Sequence, residues 1–400
     1  MDTVTKEQVR LFRLRAHHLD RYYPAAVALA AVGACGMQNS PPGAWEDALH
    51  QRVPSLELSD MRQMLESSKT LLQAWSIRGV PLVFPTVESD AFLSALVSEG
   101  DETWIYTRGI TLALDYLQMS FSELLPLVAK ALPQLDGLVV KTKTTLDQTI
   151  ADWVAPLLPE GKRSLWQSPS MYGNPEKQTV GGAVVSFMLR PCSFLGLVVF
   201  GQREGTSPTF CSYLSWVGKL LEPVDDSAQR LLRKYLHCYG PASSAGFADW
   251  LGASPEQAKR IWRSAGDELE PVNVNNRQLF IHNVDKPALL NPPQLERQLH
   301  MLSGHDPYLG LQDRDVVLAD KARQKQVWQT VSNPGVVLWK GEVAGVWKPK
   351  RSGKSLDIEV ALWDAETVVW GDTQALKAQI DESLLEYAAF RQLRLRRVSY

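Results

Sequence analysis

The sequence predicts an α+β chain, and three observations predict it. Helical patterns give way to short β-rich runs broken by glycine and proline; this order, helices and then a hairpin, recurs three times up to residue 286; beyond that point the pattern turns to strands closed by one last helix. Helices followed by a hairpin outline a winged helix. The expected architecture is therefore three tandem winged-helix (helix-turn-helix) units over residues 1–110, 111–222 and 223–286. A C-terminal β-rich domain over 287–400, with a terminal helix and a basic tail, follows them. Length points the same way, since 400 residues exceed the roughly 250 at which a single core stops growing.

Composition narrows the function classes. A hydrophobic fraction of 45% and a charged fraction of 22% belong to a globular chain with a sizeable core. A formal net charge of -2 argues against a uniformly basic nucleic-acid coat, so any DNA contact must come from local basic surfaces. The four cysteines, Cys35, Cys192, Cys211 and Cys238, are isolated and form no C-x-x-C pair or finger-like set with histidine. They read as reduced, mostly buried thiols, and His17-His18 as neighbours facing different ways on a helix, so neither a metal nor a cofactor is expected. Val32-Gly33-Ala34-Cys35 superficially resembles a lipoprotein cleavage box, but the charged leader is long, Asp20 interrupts it and the run is alanine-rich. No run approaches the ~20 apolar residues of a membrane span. A cytoplasmic protein without a membrane partner is the expectation.

In chain order, a charged helical pattern over 7–23, with Val9, Phe12, Leu14 and Leu19 as its apolar face, leads into an alanine-rich run over 24–35 that reads as a buried helix. Gly36-Met37-Gln38-Asn39-Ser40-Pro41-Pro42-Gly43 then forms an uncharged polar stop before helical spacing resumes over 44–51. Gln38, carrying an amide donor and an acceptor, either orients a water or ligand at the mouth of this loop or caps the broken helix ends. From Ser59 a helix carries Met61, Met64, Leu65, Leu72 and Trp75 at helical spacing, and 77–85 reads as a strand pair.

The second unit shows two helical stretches within 120–159, a further run over 180–189, a strand over 195–200, a polar turn over 201–208 and a returning strand over 209–214. The third is clearest. Residues 227–239 form its first helix; Tyr239-Gly240-Pro241 ends it and Ser243-Ser244 opens the second. Ser254-Pro255-Glu256-Gln257 opens the third helix with an N-cap, a proline in the first turn and a glutamine at the capping-box position. Ala258, Ile261 and Trp262 face the core, which leaves Lys259, Arg260 and Arg263 on the other side. That face either carries phosphate contacts or is simply solvated. A hairpin over 272–281 turns at Asn275-Asn276.

The last third holds a polar, aromatic segment around His305-Asp306-Pro307-Tyr308 and then strands over 335–338, 343–347 and 356–363. The turn between the last two carries Lys348, Lys350, Arg351 and Lys354, a basic tip able to grip phosphate or remain a solvated loop. A helix over 374–390 ends in Arg391, Arg394, Arg396 and Arg397, read as a nucleic-acid arm or as a tail complementing the helix dipole.

The ordered segments 38–43, Trp75-Ser76-Ile77-Arg78-Gly79-Val80-Pro81, 239–252, His305-Asp306-Pro307-Tyr308 with Asp313-Arg314-Asp315, and Asn333-Pro334-Gly335-Val336-Val337-Leu338 resemble the bacterial winged-helix DNA-binding family that includes the AlkZ-type DNA glycosylases. The match runs over nearly the whole chain. It implies double-stranded DNA bound in a central channel, and a loop motif, Gln-x-Gln or Gln-x-Asp, that places the attacking water; a monomer is the expectation. Gln38 matches the first position and Ser40 stands at the second. Ser40 holds a water but supplies no charge to a cationic sugar; Glu46 and Asp47 are the nearest acids. The resemblance also implies Arg78 as a groove contact, or else as a partner of an acid such as Glu88, and Asn39, His305 and Asp306 as channel-lining residues, with fold stabilisation the alternative for His305 and Asp306. Two functions follow: a monofunctional glycosylase acting on alkylated or crosslinked bases, and a non-catalytic DNA-binding protein lacking the second motif residue.

Overall fold

The computed structural model describes residues 1–173, 175–205, 207–363 and 373–400; Thr206, inside the expected turn 201–208, lies outside them. The chain is mixed α/β and divides into two compact units built from separate stretches. Met1–Gln63, Arg233–Gly246 and Ala265–Tyr400 form the first; Met64–Leu232 and Phe247–Ser264 form the second. No helix among the described residues is long and apolar enough to cross a membrane.

The first unit centres on a five-stranded sheet in the order Leu299–Leu302, Gly335–Trp339, Glu342–Ser352, Ser355–Leu362, Arg394–Ser399. Its first three pairings are antiparallel and the last is parallel. The helix Thr373–Phe390 covers one face through Leu376, Ile380, Leu384 and Ala388, which recur every four residues and so share one side of it. They pack with Met301, Val337, Trp347, Ile358 and Val360 in one core. Gly335 is required there, because a Cβ would stand 2.3 Å from the Trp347 indole.

Also in this unit, the helix Lys6–Ala16 starts at a capping box of Thr5 and Gln8 and buries Val9, Phe12 and Leu14. It buries Arg13 as well. That guanidinium is compensated in full: it donates to Asp313 at 2.8 Å, to the Tyr239 carbonyl at 2.6 Å and to the Gly240 carbonyl at 3.0 Å.

In the second unit the helices Phe121–Ala131, Lys143–Val154 and Val180–Phe194 share a core of Leu124, Val128, Leu146, Ile150, Val184 and Met188. A small sheet, Val140–Lys141, Thr209–Cys211 and Val199–Phe200, lines one side of that core through Phe210 and Phe200. The helix Pro255–Arg263 begins at Ser254, whose hydroxyl accepts the Gln257 amide at 3.2 Å, as its sequence leads one to expect.

Several sequence expectations are corrected. Leu72 and Trp75 lie on a strand, Leu71–Trp75, paired antiparallel with Pro81–Pro85, and not on a helix from Ser59. All five residues of that strand are buried, so their spacing matches either period. The alanine-rich run is a 3-10 turn, Ala25–Val27, and a short helix, Ala28–Gly33, that buries Ala28, Ala31, Val32 and Gly33 and leaves Leu29 exposed. Lys348, Lys350 and Arg351 are on the strand Glu342–Ser352, and only Gly353-Lys354 remain to make the turn. Arg394–Ser399 is an edge strand, where a tail or arm was expected. A register shift between Leu356 and Asp357 lets Leu395 and Val398, three residues apart, both pack on the core, which hides the strand from a two-residue alternation.

Candidate active site

The loop 36–43 is extended at Met37–Gln38, and extended backbone sends successive side chains to opposite faces. Met37 and Asn39 are buried; Gln38 is half-buried and Ser40 exposed. Gln38 and Ser40 therefore share one side. Asn39, expected on a channel lining, is turned inward, where its Oδ1 accepts the Gly43 amide at 2.7 Å and closes the loop. Gly43 is the N-cap of the helix Ala44–His50 with φ 95°, a left-handed conformation that favours glycine. It sits against the Arg391 guanidinium, 3.4 Å from where a Cβ would be.

Gln38 and Ser40 open onto a cleft of about 820 Å³, also lined by Asp47, His305, Gln329, Asn333, Lys348 and Tyr387. Gln38 Nε2 donates to the Ser40 carbonyl at 2.7 Å and lies 3.2 Å from His305 Nδ1. A carbonyl only accepts, so the Ser40 contact fixes which end of the amide is nitrogen. The second amide proton then meets His305 Nδ1 as a lone pair, which places the proton of the neutral ring on Nε2. Gln38 Oε1 is left as the acceptor that the loop presents.

His305 is placed by its neighbours. Asp306 is sealed behind it in a bidentate pair with Arg52, at 2.8 and 2.9 Å, and also accepts the Tyr308 amide at 2.9 Å. Asp306 is thus off the lining where it was expected, because a carboxylate this deep is stable only when held by such a partner. Gly304 passes so close to the Asn333 carbonyl that a Cβ would stand 2.4 Å from it.

The acid that Ser40 does not supply is present from another direction. Asp47, one turn into the helix Ala44–His50, reaches the cleft wall, and burial pushes its carboxyl up to about 6 even though Arg391 pulls the other way. Arg391 Nε donates to Asp47 at 2.7 Å, Nη1 to Glu46 at 2.5 Å and Nη2 to the Gly43 carbonyl at 2.6 Å. Arg391 is therefore the clamp of the loop. Tyr387, on the same wall, is pushed up to about 12 by burial.

The basic residues singled out in the sequence fall into two groups. Lys259 and Arg263 are exposed one turn apart on Pro255–Arg263, whereas Arg260 pairs with Glu102 at 2.7 Å and Glu99 at 2.8 Å. Arg78 turns its Nη1 to the Trp250 carbonyl at 3.0 Å. Lys348, Lys350, Arg351 and Lys354 are all exposed, and of these Lys348 lines the Gln38 cleft. Gln329 and Tyr387 were missed in the sequence, which carries no local signal for them, and Asn333 was noted only within the segment 333–338.

Known proteins resemble this chain over most of its length. A family model described as DNA glycosylase AlkZ-like matches residues 32–390. An interstrand DNA cross-link repair glycosylase of Streptomyces sahachiroi is 28% identical over 359 residues, spanning 85% of this chain and 87% of that relative. The solved structure of the Streptomyces sahachiroi DNA glycosylase AlkZ shares the fold with a TM-score of 0.73 at 21% identity, over 99% of this chain and 100% of that one.

Proposed function

The chain belongs to the AlkZ-like family of DNA glycosylases, and we propose that it hydrolyses the N-glycosidic bond of alkylated or crosslinked bases in duplex DNA without cutting the strand. The observation that carries this reading is the shared cleft of Gln38, Ser40, Asp47 and His305. Bond cleavage leaves a cationic sugar to be met by water. Gln38 Oε1 accepts a hydrogen bond from that water, its amide held by Ser40 and His305, Ser40 Oγ offers a second contact, and the proton lost as the new C–O bond forms passes to solvent. Asp47, ionised above about pH 6, supplies negative charge to the developing cation. An alkylated base already carries positive charge and leaves readily, so no strong acid is needed to protonate it.

Three tandem winged helices remain our reading of the DNA-binding scaffold. For 223–286 it is supported by the order of Ser227–Tyr239, Ser244–Leu251, Pro255–Arg263 and the hairpin Leu269–Val274 with Arg277–His282, and by the bridge between Ala242 and Phe280. Lys259, Arg263, Lys348, Lys350, Arg351 and Lys354 are the phosphate contacts of this proposal.

A second reading, a DNA-binding protein without catalysis, draws on one observation: Arg391 pairs with both Glu46 and Asp47. The deciding measurement is release of free base from duplex DNA carrying N7-alkylated guanine, comparing wild type with Gln38→Ala at matched DNA affinity. Release by wild type that falls about 10²–10³-fold in the variant supports the glycosylase. If neither releases base while both bind with a steep salt dependence, alkylguanine excision is excluded and the binding protein takes its place.

A further inference from the structure

Three residues that the sequence holds far apart meet in the interior of the first unit. His17 follows the helix Lys6–Ala16, Cys35 precedes the Gln38 loop, and Cys238 lies in the helix Ser227–Tyr239. Each is buried, at 2%, 5% and 0% exposure, and their ligand atoms all lie within 4.8 Å of one another. Cys35 Sγ is 3.9 Å from His17 Nδ1. We propose that His17, Cys35 and Cys238 are the ligands of a buried zinc ion.

The imidazole supplies the main reason. His17 Nε2 stands 3.1 Å from the Cys238 carbonyl, which only accepts, so Nε2 carries the ring proton and Nδ1 turns its lone pair toward the thiols. This is how a metal-binding histidine is oriented: one nitrogen tethered to a carbonyl, the other free to coordinate. Zinc with sulfur at about 2.3 Å and nitrogen at about 2.0 Å sets its ligands roughly 3.5–3.8 Å apart. The observed spacing closes to that with side-chain shifts below about 1 Å.

Charge agrees with a divalent ion. Two thiolates and a neutral imidazole around Zn²⁺ sum to zero, as a site this deep requires. The nearby cation, Arg52, which donates to the His17 carbonyl at 2.7 Å, is already balanced by Asp306. The Tyr239 oxygen lies 3.8 Å from Cys35 Sγ and gives its proton to the Pro307 carbonyl at 2.7 Å. Binding forms two Zn–S bonds and one Zn–N bond and releases both thiol protons to solvent.

The test reads metal and does not involve base excision, so it stands apart from the glycosylase reading. Full-length protein purified without chelator is assayed for zinc, then stripped and titrated with Co²⁺ while thiolate-to-cobalt charge transfer is followed. About one zinc per chain is expected, with a cobalt spectrum showing thiolate ligation. Cys35→Ser and Cys238→Ser lose both signals, and Cys192→Ser, whose cysteine lies in the second unit, keeps them. Folded wild type that takes up neither metal, or a cobalt spectrum without thiolate charge transfer, overturns the proposal whatever the variants do. So does Cys238→Ser binding as tightly as wild type, or recovery of the purified protein as a Cys35–Cys238 disulfide.

Discussion

Two arginine–aspartate pairs in the first unit use the same chemistry in different surroundings. Arg52 and Asp306 are sealed, at 1% and 0% side-chain exposure, while Arg391 and Asp47 sit on the cleft wall at 17% each. The sealed pair has no access to a ligand, and its bidentate geometry spends both carboxylate oxygens on one guanidinium. The cleft pair is shared, since Arg391 also holds Glu46 and the Gly43 carbonyl. Burial thus separates an acid sealed into the scaffold from an acid that lines the cleft.

The largest effect should come from breaking the sealed pair. Arg52→Ala leaves Asp306 buried without its counter-ion, and stability should fall by about 3–5 kcal/mol in urea unfolding. An unchanged midpoint would erase the distinction between the pairs. At the cleft, Asp47→Asn should lower base release about 10²-fold without lowering the unfolding midpoint at neutral pH. Equal losses of activity in Asp47→Asn and in a variant destabilised elsewhere would make Asp47 structural as well.

The Asp47 titration sharpens the same contrast. Its folded-state pKa, about 6, lies above the ordinary 3.8, so the folded protein holds this proton more tightly than the unfolded chain does. The linked stability is present below about pH 4 and is lost as pH rises through 6; Asp47→Asn should flatten that part of the stability profile. Base release by wild type should rise about tenfold per pH unit below 6 and level off above it. The smallest effect is at the rim. Lys348→Ala should weaken duplex binding uniformly across sequences and reduce the slope of log K against log salt by about 1.

What could be read in the sequence was what neighbouring residues decide. Ser254 and Pro255 start their helix and Asn275-Asn276 turn their hairpin because caps and tight turns need only the residues beside them. Gln38 stood out for a similar reason, as an amide in an uncharged loop between helices. Its partners were harder. His305 was named on a resemblance, but its contact spans 267 positions, and the clamp from Arg391 to Asp47 spans 344. Arg391 was read as part of a tail because nothing near it in sequence shows the loop it holds. The strand Arg394–Ser399 was missed because its pairing is with a distant segment and its register shift breaks the alternation.

The 344 positions between Asp47 and Arg391 also have a meaning in time. A ribosome adding about 5–20 residues per second makes the Gln38 loop roughly 20–70 s before it makes the arginine that clamps it. Through that interval Glu46 and Asp47 are adjacent like charges without their counter-ion, and the loop lacks the contact that shapes it. The loop is therefore made long before the residue that clamps it, and the Gln38 cleft stays unfinished through that interval.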